Sequence, residues 1–128
     1  HFGADVTAVA SVNNLDLVRS LGAHQVIDYT REDFTKGAET YDLIFDAVGK
    51  ASPKDSQRVL RQNGRFVSIR ETTHESNEAL AFLAELAASG EIKPVIDRCY
   101  PLDHITEAYE YVKSGRKVGN VVIQVGET

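Results

Sequence analysis

Four short stretches stand directly after apolar runs of this chain. Ser11 to Asn14 follow Val6–Ala10, Tyr29 follows Val26-Ile27-Asp28, Ala47 to Lys50 follow Leu43–Asp46, and Ser68 to Glu71 close a run that begins at Phe66. Hydroxyls, amides and a glycine turn in such places suit ligand recognition. No Ser/His/Asp set has supporting context, and Tyr100, Tyr109 and Tyr111 read as core or surface tyrosines rather than proton donors. Asp28 and Asp46, acids on or at the ends of strands, read as turn or helix-terminus partners. Lys50 reads as solvated.

Metal and disulfide chemistry find little material. One cysteine, Cys99, excludes an internal disulfide and an all-thiolate zinc site. His24, His74 and His104 are isolated and form no ligand set with Cys99, so no metal is expected. The formal charge of −5 argues against a general nucleic-acid or anionic-membrane binder. Arg58, Arg61 and Arg65 read as a solvated helix face, with a local basic patch as the other reading. No apolar run approaches membrane-spanning length, no signal peptide is visible, and a reducing cytoplasm is the expected location.

The elements that position these residues alternate. Strands are predicted at Val6–Ala10, Val26–Tyr29, Leu43–Val48 and Phe66–Ile69, the third covered on both faces. Asn13 or Asn14 is expected to cap a helix carrying Leu15, Val18 and Leu21 that Gly22 closes. Ser52-Pro53 starts a helix that presents Val59 and Leu60 inward and stops at Asn63-Gly64. A third helix runs from about Ser76 to Ser89 with Ala79, Leu80, Leu83, Leu86 and Ala87 on one stripe, and Gly90 ends it. The last runs from Asp103 to Ser114 with Ile105, Ala108, Tyr109 and Val112 inward. At 128 residues, 42% hydrophobic and 26% charged, this is one domain's worth of chain. Strand–helix alternation predicts an α/β fold, a parallel sheet with helices on both faces whose ligands bind beyond the carboxyl ends of the strands.

Seven strings carry a resemblance. Gly3-Ala4-Asp5-Val6-Thr7-Ala8-Val9, Asn14-Leu15-Asp16-Leu17-Val18-Arg19-Ser20-Leu21-Gly22-Ala23 and Val26-Ile27-Asp28-Tyr29 come first, followed by Tyr41-Asp42-Leu43-Ile44-Phe45-Asp46-Ala47-Val48-Gly49 and Gly64-Arg65-Phe66-Val67-Ser68-Ile69. Ile92-Lys93-Pro94-Val95-Ile96-Asp97-Arg98 and Ser114-Gly115-Arg116-Lys117-Val118-Gly119-Asn120-Val121-Val122-Ile123 complete the register. Together they resemble the medium-chain dehydrogenase/reductase superfamily, in its zinc-independent, NADPH-dependent quinone oxidoreductase-like branch.

The resemblance implies a truncated doubly wound, Rossmann-like sheet, with residues 1–95 a partial dinucleotide-binding domain and 96–128 a returning strand–helix–strand segment. In the family a strand, a glycine-rich phosphate turn and a helix precede the part matched here. His1-Phe2-Gly3 reads as a helix end running straight into a strand, and the chain has no methionine; a piece of a longer protein is expected. By resemblance, Ser11 and Asn13 border the adenosine 2′-phosphate and Tyr29 an adenosine phosphate. Ser11 stands where an NAD-selecting acid would be, and Asn13 where the branch often has Arg or Lys. Ala47, Val48 and Gly49 match the segment that the nicotinamide ribose approaches, Ser68 and Ile69 the carboxamide pocket, and Asn120 a residue near the cofactor. Turn and cap chemistry is the alternative for Ser11, Asn13 and Asn14, and a plain turn for Gly49. Only Arg70 to Glu75 separate Ile69 from Ser76, where the superfamily usually has another strand.

The function implied is hydride transfer from NADPH to a quinone or an α,β-unsaturated carbonyl by the parent, the fragment alone being inactive. A hole between the strands at Val6 and Leu43 is expected, closed by direct pairing, by the strand at Val121–Val125, or by a second copy. A homodimer is predicted. Two other readings stay open. Tyr41–Asp46 and Gly64–Val67 resemble strand motifs of S-adenosylmethionine-dependent methyltransferases, and a dimerising remnant without ligand is the third.

Overall fold

The structure, a computed structural model, describes residues 1–71 and 76–126. The chain packs as two units, His1–Glu75 and Ser76–Thr128. His74, read above as an isolated histidine, lies outside the described residues.

In the first unit, β1 (Thr7–Ala10) leads through a 3-10 turn into α1 (Leu15–Ser20) and returns as β2 (Gln25–Asp28). Gly22, at φ +101°, makes the reversal after α1. The two strands pair in parallel, Ala10 opposite Asp28. Neither Ser11 nor Asn14 makes a side-chain cap hydrogen bond, so the expected asparagine cap is not formed. The start of α1 is instead tied by the Asn14 N–H donating to the Ser11 carbonyl at 2.9 Å.

The second strand pair is β3 (Tyr41–Asp46) with β4 (Leu60–Ser68), again parallel, Asp46 opposite Ser68. Between them stands α2 (Pro53–Ser56), begun as expected by Pro53 behind Ser52, whose hydroxyl accepts from the Asp55 N–H at 3.2 Å. The expected helix does not run on to Asn63. It ends after one 3-10 turn at Val59, and the chain is already strand at Leu60. Asn63, at φ 66°, lies within β4, where the register jumps from Tyr41–Leu60 to Leu43–Arg65. Asn-Gly does impose left-handed backbone, but to bulge a strand rather than to end a helix. Arg61 and Arg65 are therefore strand residues. Arg61 pairs with Asp42 at 2.6 Å and Arg58 with Asp55 at 3.6 Å, so two of the three cations stand against acids.

Burial along β3 alternates, correcting the expectation of cover on both faces. Ile44 and Asp46 are buried while Leu43 and Phe45 are 58% and 60% exposed. Val59 is buried as well.

The second unit comprises α3 (Asn77–Ala88), β5 (Ile96–Pro101), α4 (Ile105–Lys113) and β6 (Asn120–Gln124). Ser76 caps α3 by accepting from the Ala79 N–H at 3.0 Å, and Gly90 closes it at φ 75°. β5 and β6 are parallel. Of the stripes expected inward, only Leu86 on α3 and Ala108 on α4 are buried; Leu80 and Tyr109 are 68% and 75% exposed. Apolar spacing identifies the stripe but not what covers it.

All described pairings are parallel, and they form three separate two-stranded sheets. This is the expected α/β, Rossmann-like class. Two expected closures do not occur: β1 does not pair with β3, and the C-terminal strand pairs with β5 instead of entering the gap. Among the described residues no helix is long and apolar enough to cross a membrane.

Candidate functional site

Parallel pairing brings the carboxyl ends of neighbouring strands side by side, so the register decides which loops meet. Opposite Ala10 and Asp28, the chain continues into Ser11 and Tyr29. The Tyr29 N–H donates to the Ala10 carbonyl at 3.2 Å, which joins the two ends. Ser11 is half-buried and Asn13 exposed, and neither side chain has a hydrogen bond among the described residues. Tyr29 is 61% exposed.

Asp28 stands in the same corner. Its Oδ1 accepts from the Thr30 hydroxyl at 2.7 Å and from the Thr30 N–H at 3.0 Å, an Asx turn, and the two hold its carboxyl below the ordinary range in that order. Its Oδ2 is buried with no hydrogen-bond partner, the nearest cation being Arg31 Nε at 3.6 Å. A buried acceptor without a donor is costly, and a ligand N–H or O–H at this edge would satisfy it.

The second corner is built on Asp46 and Ser68. Asp46 Oδ1 accepts from the N–H groups of Val48 (3.3 Å), Gly49 (2.8 Å) and Lys50 (3.2 Å). Oδ2 accepts from the Ala51 N–H at 3.2 Å and the Ser68 hydroxyl at 3.2 Å. Burial opposes ionisation of this carboxyl more than any single contact favours it. The Val48, Gly49 and Lys50 N–H groups and the Ser68 hydroxyl together prevail, and its pKa lies below the ordinary value. The reading of Asp46 as a turn partner thus describes its contacts. Gly49 needs its glycine: φ is +72°, and a Cβ there would stand 2.8 Å from Arg70 Nε.

Ala47, Val48, Gly49, Ser68 and Ile69 are thereby gathered at one strand-end corner, and Ser11, Asn13 and Tyr29 at the other. Asn120 belongs to the second unit, where its side chain donates to the Val95 carbonyl at 3.2 Å. Arg70, within the strand-end stretch Ser68 to Glu71 but given no role of its own by the sequence, lays its guanidinium across Gly49.

In the second unit Asp97 Oδ2 accepts from the Val118 N–H and the Tyr111 hydroxyl, both at 2.8 Å, and the Arg98 guanidinium lies 3.8 Å from the Tyr111 ring centroid. The cluster stitches β5 to the end of α4 and to the turn before β6. An apolar hollow of about 200 Å³ in the same unit is lined by Ile105, Ala108, Tyr109, Val112, Val121 and Ile123.

A zinc site does not fit the described residues. His24 Nδ1 accepts from the Val6 N–H at 3.1 Å, His104 Nδ1 stands 3.0 Å from Glu107, and Cys99 is exposed on β5. No three potential ligands converge among them.

A parallel α/β fold with paired strand-end corners is what nicotinamide-dependent dehydrogenases use. The model of the zinc-binding dehydrogenase family matches residues 21–78 and 69–123. The chain belongs to that family, within the medium-chain dehydrogenase/reductase superfamily its motifs resemble. It is 34% identical to 2-methylene-furan-3-one reductase of Solanum lycopersicum and 32% identical to the chloroplastic NADPH-dependent alkenal/one oxidoreductase of Arabidopsis thaliana. Each alignment covers 95% of this chain and 34% of the relative, so the chain spans about a third of the length of these curated relatives. The fold is also that of the quinone oxidoreductase from Coxiella burnetii, with a TM-score of 0.78 at 24% identity over 97% of this chain and 46% of that one.

Proposed function

We propose that this chain is the nicotinamide-dinucleotide-binding part of a reductase that transfers hydride from NADPH to the electrophilic carbon of an α,β-unsaturated carbonyl or a quinone. The observation that carries the reading is the pairing of loops at the strand ends. Unengaged Ser11 and Asn13 side chains and the donor-less Asp28 Oδ2 stand at one corner. A preformed glycine turn stands at the other. Relatives bearing the names alkenal/one oxidoreductase and 2-methylene-furan-3-one reductase support the substrate class.

NADPH, when bound, supplies the hydride. The chain's own residues bind and orient. Ser11 and Asn13 would donate to the adenosine 2′-phosphate and Tyr29 would lie by an adenosine phosphate. The Ala47–Gly49 turn, with Ser68 and Ile69, would seat the nicotinamide riboside. Asn120, in the second unit, enters this reading by resemblance alone. No side chain of this chain transfers a proton in this reading. In this reading residues 1–95 are the dinucleotide-binding part, running on through α3 into the second unit, and 96–128 are the returning segment.

The reading also includes a cytoplasmic location, no turnover by this chain alone, and a homodimer. Exposed Leu43 and Phe45 on β3 and the unpaired inner edges of β1 and β3 support association. A single monomeric species by sedimentation at high concentration would remove the dimer from it.

Calorimetric titration with NADPH, NADH and S-adenosylmethionine tests the function. Binding of NADPH in preference to NADH is expected. Binding of only the methyl donor would support a methyltransferase, and binding of none a remnant without ligand.

A further inference from the structure

We propose that Asp46 is a positioning residue whose single buried carboxylate holds both loops of the nicotinamide corner and makes the Ala47–Lys50 turn a surface of hydrogen-bond acceptors. The inference rests on the cofactor reading above and names what that corner selects.

The carboxylate is 7% exposed and spends its two oxygens on five donors. Four are consecutive backbone N–H groups, from Val48 to Ala51. The fifth is the Ser68 hydroxyl, which in turn accepts from the Arg70 N–H at 3.3 Å. The Ile69 N–H donates to the Asp46 carbonyl at 3.1 Å. One residue therefore fixes the turn after β3 directly and the turn after β4 through one hydroxyl.

The chemical consequence concerns what is left over. A glycine turn at a strand end commonly offers N–H groups to phosphate. Here those N–H groups are already consumed by a carboxylate, and the negative charge behind them repels an anion. The carbonyls of Ala47, Val48 and Gly49 accept no hydrogen bond among the described residues. The turn consequently suits a ligand portion that donates, such as ribose hydroxyls or a carboxamide NH2, and disfavours a phosphate. Neutral Asn at position 46 could not reproduce this. Its NH2 would face the Ala51 N–H and the Ser68 hydroxyl, leaving the Ala51 donor without an acceptor.

The test compares the full chain with Asp46→Asn and Ser68→Ala. Dissociation constants are measured for NADPH and for 2′-phospho-ADP-ribose, which lacks the nicotinamide riboside, and amide exchange is followed residue by residue. For Asp46→Asn, NADPH affinity is expected to fall about tenfold, as when the competent turn is populated a tenth of the time. The affinity for 2′-phospho-ADP-ribose is expected to change by less than about twofold, since the adenosine corner keeps its geometry. Exchange should accelerate at Val48 to Ala51 and at Arg70 while Thr7 to Ala10 keep their protection. Ser68→Ala should show the same split at about threefold, with faster exchange at Arg70, and carries the test alone if Asp46→Asn does not fold. Unchanged NADPH affinity would overturn the proposal, as would equal loss for both ligands with exchange accelerated throughout 1–71. If the unsubstituted chain binds neither ligand, the cofactor reading itself falls and this role falls with it, a result visible before any variant is made.

Discussion

Asp46 and Asp97 are two carboxylates held below the ordinary range, one in each unit, and they do different work. Asp46 sits at a strand end and gathers backbone N–H groups from the next few residues, so it shapes a loop. Asp97 sits on β5 and accepts first from the Val118 N–H and then from the Tyr111 hydroxyl, 21 and 14 residues away, so it joins finished elements. Each has a positive-φ glycine nearby, Gly49 and Gly119. The lesson is that a depressed carboxyl pKa does not by itself mark a site. What distinguishes Asp46 is that its partners form the loop a ligand would approach.

The glycines give the sharpest contrast. At Gly119, φ is +101° and a Cβ would stand 2.5 Å from the Val95 carbonyl oxygen, a backbone atom that cannot swing aside. The same carbonyl accepts from the Asn120 N–H at 2.7 Å, at the first residue of β6. Gly119→Ala is expected to cost about 2–4 kcal/mol in urea unfolding. At Gly49 the atom met is the far end of Arg70, which can move. Gly49→Ala should therefore cost only about 1 kcal/mol, chiefly from the left-handed backbone, yet weaken NADPH binding. Equal stability losses at the two positions would break the distinction.

Titration sharpens it further. Asp46 and Asp97 both lie below 3.8 in the fold, so the stability each contributes is complete above about pH 4. It is lost as pH falls from there through the folded value. Tyr111 lies above 10.0, raised first by the Asp97 acceptor and then by burial. Its contribution is complete below about pH 10 and is lost as pH rises through the raised value. Amides of the Asp46 loop should lose protection on the acid side only, whereas those at Val118 and the end of α4 should lose it on both. Exchange measured across the pH range checks this, and a loop at 48–51 that opened in alkali alone would contradict it.

The smallest expected effect lies in the adenosine corner. Asn13→Arg adds a cation where the side chain is exposed and unengaged. NADPH affinity should rise roughly fivefold with little change for NADH, since only the former carries a 2′-phosphate. Equal gains for both cofactors would place Asn13 away from that phosphate.

Much of the frame was legible in the residues, because parallel strands announce themselves as apolar runs and helices by their caps. Ser52-Pro53 and Ser76 marked two helix starts that the structure forms. What escaped was context. Asn63-Gly64 signals left-handed backbone without saying whether a helix ends or a strand bulges, and β4 accordingly begins at Leu60. The apolar faces of β3, α3 and α4 were correctly apolar, but exposure at Phe45, Leu80 and Tyr109 depends on neighbours that periodicity does not report. At the candidate site, strand-end topology named the loops. The reach of Asp46 to Ser68, 22 residues on, needed the register of β3 against β4.

The most direct measurement is an NMR titration of the isotope-labelled chain with NADPH. The account predicts saturable shifts at Ser11, Asn13 and Tyr29 together with Ala47 to Gly49 and Ile69. Shifts confined to the second unit, or none at cofactor concentrations that saturate related reductases, would contradict it.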